Sequence, residues 1–200
     1  MLRRSPKDAG DPNRFLIVGL GNPGKKYART RHNVGTDAAE VLASRVSGSF
    51  KVGRDKAQII ETRLHDHPVI IAIPTTYMND SGEAVGALTR RYKISPDHVI
   101  VLHDELDLEP GIVKVKFGGG LAGHNGLKSI SQHVRTDDYI RVRIGVGKPQ
   151  SKEQGANFVL SAIPASERKI LDVAIEIAAD AVEKIVATDL ATAMQDFNAR

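Results

Sequence analysis

Residues 15–21, Phe-Leu-Ile-Val-Gly-Leu-Gly, contain no polar side chain. A run this short and apolar, stopped by glycine, fits a strand buried on both faces. Burial on both faces requires helices on either side of a sheet, and the rest of the chain supplies them in alternation. Residues 34–46 read as a helix with Val34, Ala38, Val41, Leu42 and Val46 on one face. Residues 58–64 and 68–73 read as two strands across the polar turn His65-Asp66-His67. A helix is expected over 80–92, with Asn79, Asp80 or Ser81 as its cap, and a second buried strand over 98–105 that ends in charge. The alternation over 112–117 predicts a half-exposed strand carrying Lys114 and Lys116 on one face. A short helix over 125–134 and a strand over 139–146 follow, with Arg141 and Arg143 sharing a face; 147–155 is expected to be loop. Residues 165–187 read as a long helix with an inward stripe of Ile170, Val173, Ala174, Ile177, Ala181 and Ile185. The expected fold class is α/β, a single domain over 14–200 with a mixed twisted sheet flanked by α-helices. Residues 1–13 are expected to be a disordered extension.

Composition narrows the function more by exclusion than by suggestion. The chain has 200 residues and no cysteine, which removes disulfides, cysteine-bound zinc and a thiol nucleophile. No apolar run reaches the roughly 18 residues of a membrane span, and the first thirteen residues lack the apolar stretch of a secretory signal. A soluble, cytoplasmic protein is expected. The net charge is only +4, but between 111 and 148 seven basic residues stand against Asp137 and Asp138. Lys25, Lys26, Arg29 and Arg31 add a second basic group, whereas from 161 onward seven acids outweigh four bases. This asymmetry suggests one basic face that meets a polyanion.

The segment Gly19-Leu20-Gly21-Asn22-Pro23-Gly24 has the spacing G-x-G-x-x-G. A dinucleotide site needs more than the glycines: a helix must start within the motif, and an acid must end the next strand about 20 residues on. Here Pro23 removes an N–H from the donating stretch, and the following KKYARTRHN shows no apolar stripe. Glu40 stands at the right distance but inside a helix. No NAD or FAD is therefore expected. The glycines instead let the chain turn sharply and present Asn22 at the carboxyl edge of the sheet, where open α/β sheets bind ligands. No G-x-S-x-G elbow, Walker loop or H-E-x-x-H spacing occurs. His103-Asp104-Glu105, at a strand end, offers either metal ligands or one carboxylate of a catalytic site; the second reading is favoured.

Asn22, His32, Asn33, Asn79, Asp104, His124 and Asn125 all fall at junctions between elements, so folding can gather them at one end of the sheet. An imidazole can take a proton from water near neutral pH, a carboxylate fixes its tautomer, and amide N–H groups hold a developing oxyanion. Such a set suits attack of water on a carbonyl.

These residues also resemble a known family. VGLGNPGKKYARTRHNVG (18–35), PTTYMNDSG (74–82), HDELDLEPG (103–111), GGGLAGHNGLKS (118–129) and RVRIGVGKP (141–149) are similar, in order and spacing, to the bacterial-type peptidyl-tRNA hydrolases over about residues 14 to 198. The resemblance implies a monomeric α/β enzyme that needs no metal or cofactor. It would cleave the ester between a peptide and the 3′-terminal ribose of tRNA, recycling the tRNA, with no membrane and no obligate protein partner. It makes His32 the base, held by Asp104, with Asn22, Asn79 and Asn125 in the site. Tyr27, Met78 and His124 would contact the peptide or line the channel. Lys116 and Arg143, supported by Lys114 and Lys128, would clamp tRNA phosphate. Where many relatives carry further glycine or polar residues, this chain has Leu121-Ala122; Ala122 would permit close backbone approach only with negative φ. The alternative from another class is a non-catalytic RNA-binding protein of the splicing-factor type on the same fold.

Overall fold

The computed structural model describes residues 11–149, 151 and 154–199. Strand β1 (Phe15–Gly19) lies at the centre of one seven-stranded sheet, with α1 (Val34–Arg45), β2 (Lys51–Val52), β3 (Ala57–Leu64) and β4 (His67–Pro74) following in the chain. Next come α2 (Ser81–Tyr92), β5 (Val99–Glu105), β6 (Val113–Phe117), α3 (Asn125–Val134) and β7 (Ile140–Gly145). Three helices close the chain: α4 (Gly155–Leu160), α5 (Ala165–Ala187) and α6 (Leu190–Asn198). The strand order is β2-β3-β4-β1-β5-β7-β6. The four central strands are parallel, and the antiparallel pairs β2–β3, β3–β4 and β6–β7 lie toward the two edges.

The apolar run of β1 is divided between two cores, as its lack of polar positions requires. Ile17 packs with residues of α1 and α5, including Leu42, Ala178 and Val182; Leu16 and Val18 pack on the other face with Leu88 of α2 and Ile130 of α3. Gly19 and Gly35 allow α1 to sit directly on the sheet. A Cβ on Gly19 would lie 2.4 Å from the Gly35 carbonyl oxygen, and one on Gly35 would lie 2.2 Å from that of Leu102. The first glycine of the motif thus serves helix–strand packing. At the outer edge, the Asn198 side chain pairs with the backbone of β6, accepting from the Val115 N–H (2.8 Å) and donating to its carbonyl (2.9 Å).

Several expectations need correction. Helix α5 has the expected bounds but a different inward stripe: Ile170 and Val173 are 48% and 60% exposed, and the buried seam runs through Leu171, Ala174, Ile175, Ala178, Val182 and Ile185. Arg141 shares its sheet face with Arg143 but is fully buried, donating to the carbonyls of Gly119, Gly120 and Asp137. Ala122 has φ +49°, in the left-handed region, so the negative φ on which close backbone approach depended is not met; for a residue with a Cβ that conformation costs on the order of 1 kcal/mol. The stretch read as loop up to 155 gives way to α4 over 155–160, and α6 had no sequence expectation. The expectation for residues 1–10 lies outside the described residues. Asp11, Pro12 and Asn13 form a turn, the Asp11 side chain accepting from the Asn13 N–H at 2.9 Å. No helix among the described residues is long and apolar enough to cross a membrane.

Candidate active site

The carboxyl ends of β1 and β5 open into a cavity of about 320 Å³ lined by Asn22, His32, Met78, Asn79, Asp104 and Asn125, with His124 among the remaining lining. His32 lies in a single helical turn, Arg31–Asn33, that leads straight into α1. Asp104 is the penultimate residue of β5 and is 3% exposed. The His32 Nδ1–H donates between the two carboxylate oxygens, each 2.9 Å away. With its proton there, the ring keeps a lone pair on Nε2, which has no protein hydrogen-bond partner among the described residues.

His124 reaches the same carboxylate, its ring centre 5.0 Å from that of His32. It caps α3: its Nδ1 accepts from the N–H groups of Gly126 (3.1 Å) and Leu127 (3.3 Å). A ring nitrogen that accepts two N–H donors is unprotonated, so in the neutral ring Nε2 carries the hydrogen and donates to Asp104 Oδ1 at 2.9 Å. Burial pushes the Asp104 carboxyl up, but the imidazoles of His124 and His32 outweigh it and hold the group well below the usual carboxylate range. The donor atoms of His32, Asp104 and His124 lie within 4.8 Å of one another, close enough to suggest a metal site. The tautomers argue against one, because the nitrogen that His124 turns toward Asp104 bears a proton and has no lone pair for an ion.

The neighbouring His103 is held neutral. Its Nδ1–H donates to the Asp104 carbonyl at 2.7 Å, and burial, with a contribution from His124, pushes its pKa down to about 3. Its Nε2 is buried without a partner.

Three amides face the cavity. Asn22 Oδ1 accepts from the Met78 N–H at 2.8 Å, which assigns the amide orientation and leaves its NH2 group for a ligand. Asn79, in the turn Met78–Asp80, and Asn125, the first residue of α3, have exposed side chains with no hydrogen-bond partner among the described residues. Met78 is buried and contributes apolar wall. Tyr27 lies outside the cavity lining and packs edge to face against Tyr77, ring centroids 6.4 Å apart.

The basic residues cluster on β6 and β7, beside this cavity. Lys114 stands opposite Arg143 and Lys116 opposite Arg141, so all four share a sheet face. Arg143 donates from Nε to the buried Glu105 carboxylate at 3.0 Å, and the other Glu105 oxygen accepts from the Asp107 N–H. The Lys114 ammonium lies 3.5 Å from the Asn198 carbonyl, and Lys128 is exposed on α3. In the sequence Arg31 counts only as one of a basic group, Glu105 only as part of a charged strand end, Asn33 only as one of several junction amides, and α4 is not foreseen. Their contributions depend on contacts between distant segments, which no local pattern announces.

Comparisons with known proteins add a separate line. The family pattern described as peptidyl-tRNA hydrolase matches residues 16–200. A peptidyl-tRNA hydrolase of Nocardia farcinica (strain IFM 10152) is 50% identical over 184 residues, covering 92% of this chain and 95% of that protein. One from Arthrobacter sp. (strain FB24) is 48% identical over 186 residues, covering 92% and 96%. The crystal structure of peptidyl-tRNA hydrolase from Acinetobacter baumannii matches with a TM-score of 0.90 at 39% identity, covering 96% of this chain and 98% of that one.

Proposed function

The chain belongs to the peptidyl-tRNA hydrolase family, and from that premise we propose that His32 activates the water that cleaves the ester between peptide and tRNA. Hydrolysis of peptidyl-tRNA is the reaction of the chain; the non-catalytic, splicing-factor-like alternative is not favoured by these relatives. The residue roles are the proposal. The observation that carries it is the Nδ1–H of His32 directed onto both oxygens of Asp104, with Nε2 left open beside three amides.

Water bound between His32 Nε2 and the ester loses a proton to that nitrogen as its oxygen attacks the carbonyl carbon. The new imidazolium sits against the Asp104 carboxylate, which holds its geometry and offsets its charge without itself taking the proton. The carbonyl oxygen becomes an oxyanion and accepts from the amide NH2 groups of Asn22, Asn79 or Asn125. Collapse of the tetrahedral intermediate breaks the bond to the ribose oxygen, which takes the proton back from His32. Free peptide acid and tRNA result, and no acyl group is left on the protein.

Lys116 and Arg143, with Lys114 and Lys128 nearby, are proposed to hold tRNA phosphate. Phosphate contacts give affinity without reading sequence, as an enzyme serving many tRNAs needs. The chain is proposed to work as a cytoplasmic monomer with no obligate protein partner, without metal or organic cofactor. The test is release of free tRNA from N-acetyl-aminoacyl-tRNA in EDTA, by wild type and His32→Ala side by side. Rapid release by wild type alone is expected. Equal rates would remove His32 from its role, and tight tRNA binding with no release would favour the RNA-binding alternative.

A further inference from the structure

Arg31, the residue before His32, is charged yet only 4% exposed. It forms a fork on Glu167 of α5, Nε to Oε1 and Nη2 to Oε2, both 2.8 Å. Its Nη1 donates to the Phe158 carbonyl at 3.3 Å and the Ser161 hydroxyl at 3.2 Å, and the Phe158 ring centre lies 4.0 Å from the guanidinium carbon. Every one of these partners belongs to α4, to its exit or to the first turn of α5. A forked, ring-stacked arginine is a joint of fixed geometry in a way a lysine is not.

Helix α4 needs such a joint. It has six residues and fully buries only Val159, and a helix that short has little stability of its own. Yet it supplies Ala156, Val159 and Leu160 to the cavity, where Met78 and Leu106 extend the apolar lining. The guanidinium therefore ties the segment carrying His32 to the apolar wall that faces it.

We propose that Arg31 is a positioning residue that holds this wall at contact distance from the acyl group, so that the enzyme favours peptidyl esters whose esterified amino acid has an apolar side chain. This rests on the reading that the ester lies in the cavity beside His32. Removing one member of a buried ion pair strands the other, so the first test variant is Arg31→Met/Glu167→Gln, which removes both charges and keeps the bulk. Val159→Ala, which shortens the wall itself, is the second, and melting curves establish that each is folded.

The substrates are N-acetyl-leucyl-tRNA and N-acetyl-glycyl-tRNA. Wild type is expected to favour the leucyl ester in kcat/KM by about tenfold, within the range a pocket draws from one apolar side chain. Both variants are expected to reduce that ratio to about two, mainly through KM of the leucyl substrate. A wild-type ratio near one, or an unchanged ratio in both folded variants, overturns the role of the wall while leaving the hydrolase reading intact. Failure of wild type to hydrolyse either ester overturns both.

Discussion

Asn33 holds the backbone of Asn22 from both sides, its Oδ1 accepting from the Asn22 N–H and its Nδ2 donating to the Asn22 carbonyl, each at 2.9 Å. With the Met78 N–H bonded to the Asn22 side-chain oxygen, the amide that faces the cavity is held at both backbone and side chain. Asn33 is itself buried, so it acts only through Asn22. Asn33→Ala is expected to lower kcat by roughly 10²-fold, the penalty of an ångström-scale misplacement, with little change in tRNA affinity. Single-turnover rates alongside equilibrium binding separate the two effects, and a full-rate variant would show that Asn22 needs no such support.

His32→Ala is expected to reduce turnover by roughly 10² to 10⁴, the usual cost of a lost general base. Binding of tRNA should hold, because the proposed phosphate clamp lies on β6, β7 and α3, away from His32. Asp104→Asn should approach the same loss by a different route, since an amide NH2 in place of one carboxylate oxygen permits the wrong imidazole tautomer. Retained kcat in either variant counts against direct attack by His32-activated water. So would a peptide adduct on the protein, sought by mass spectrometry during turnover.

Arg143→Ala and Lys116→Ala are each expected to raise KM and to flatten its dependence on salt by about one phosphate contact. The measurement is log KM against log salt concentration. An unchanged slope in both would move the phosphate site off β6 and β7. Arg143→Ala also strips Glu105 of its ion-pair partner, so it should lose more stability than Lys116→Ala.

His103 gives the fold a built-in dependence on pH. Its pKa, near 6.5 when unfolded, falls to about 3 in the folded protein. Between these values the unfolded chain carries the extra proton, so stability rises with pH; it is complete above about 6.5 and drains away as pH falls toward 3. Moving from pH 7.5 to 5.5 should cost wild type about 1 kcal/mol more than His103→Gln. Urea midpoints at the two pH values test this, and parallel losses would absolve His103.

The alternating architecture was legible because each element carried its own period. The run at 15–21 lacks any polar position, and helices α1 to α3 show single stripes. Helix α5 was harder to phase. Alanine, isoleucine and valine occupy so many of its positions that two stripes are nearly equivalent. The buried seam takes in Arg168, which Asp37 on α1 receives at 2.7 Å, a contact between distant segments that the helix's own pattern does not announce. Helix α4 was unreadable for a related reason: its anchor is Arg31, more than a hundred residues away. The site followed the same division. Asn22, His32, Asn79, Asp104 and Asn125 stood out as polar residues at the ends of regular elements, and they do line one cavity. The shared carboxylate between two imidazoles, and the grip of Asn33 on Asn22, exist only once β1, β5, α1 and α3 have met.

Two rungs of the β6–β7 ladder set cation against cation, Lys114 against Arg143 and Lys116 against Arg141. Like charges directly across a ladder weaken the pairing, and Glu105 offsets only part of this at Arg143. On the proposed clamp, tRNA phosphate completes what the sheet edge leaves unbalanced, and the empty protein is the more frustrated of its two states. Stability and grip are then traded along this edge. Replacing a cation with a neutral residue should calm the unliganded fold while loosening the substrate, so thermostabilised relatives selected without tRNA present would be expected to decay here first.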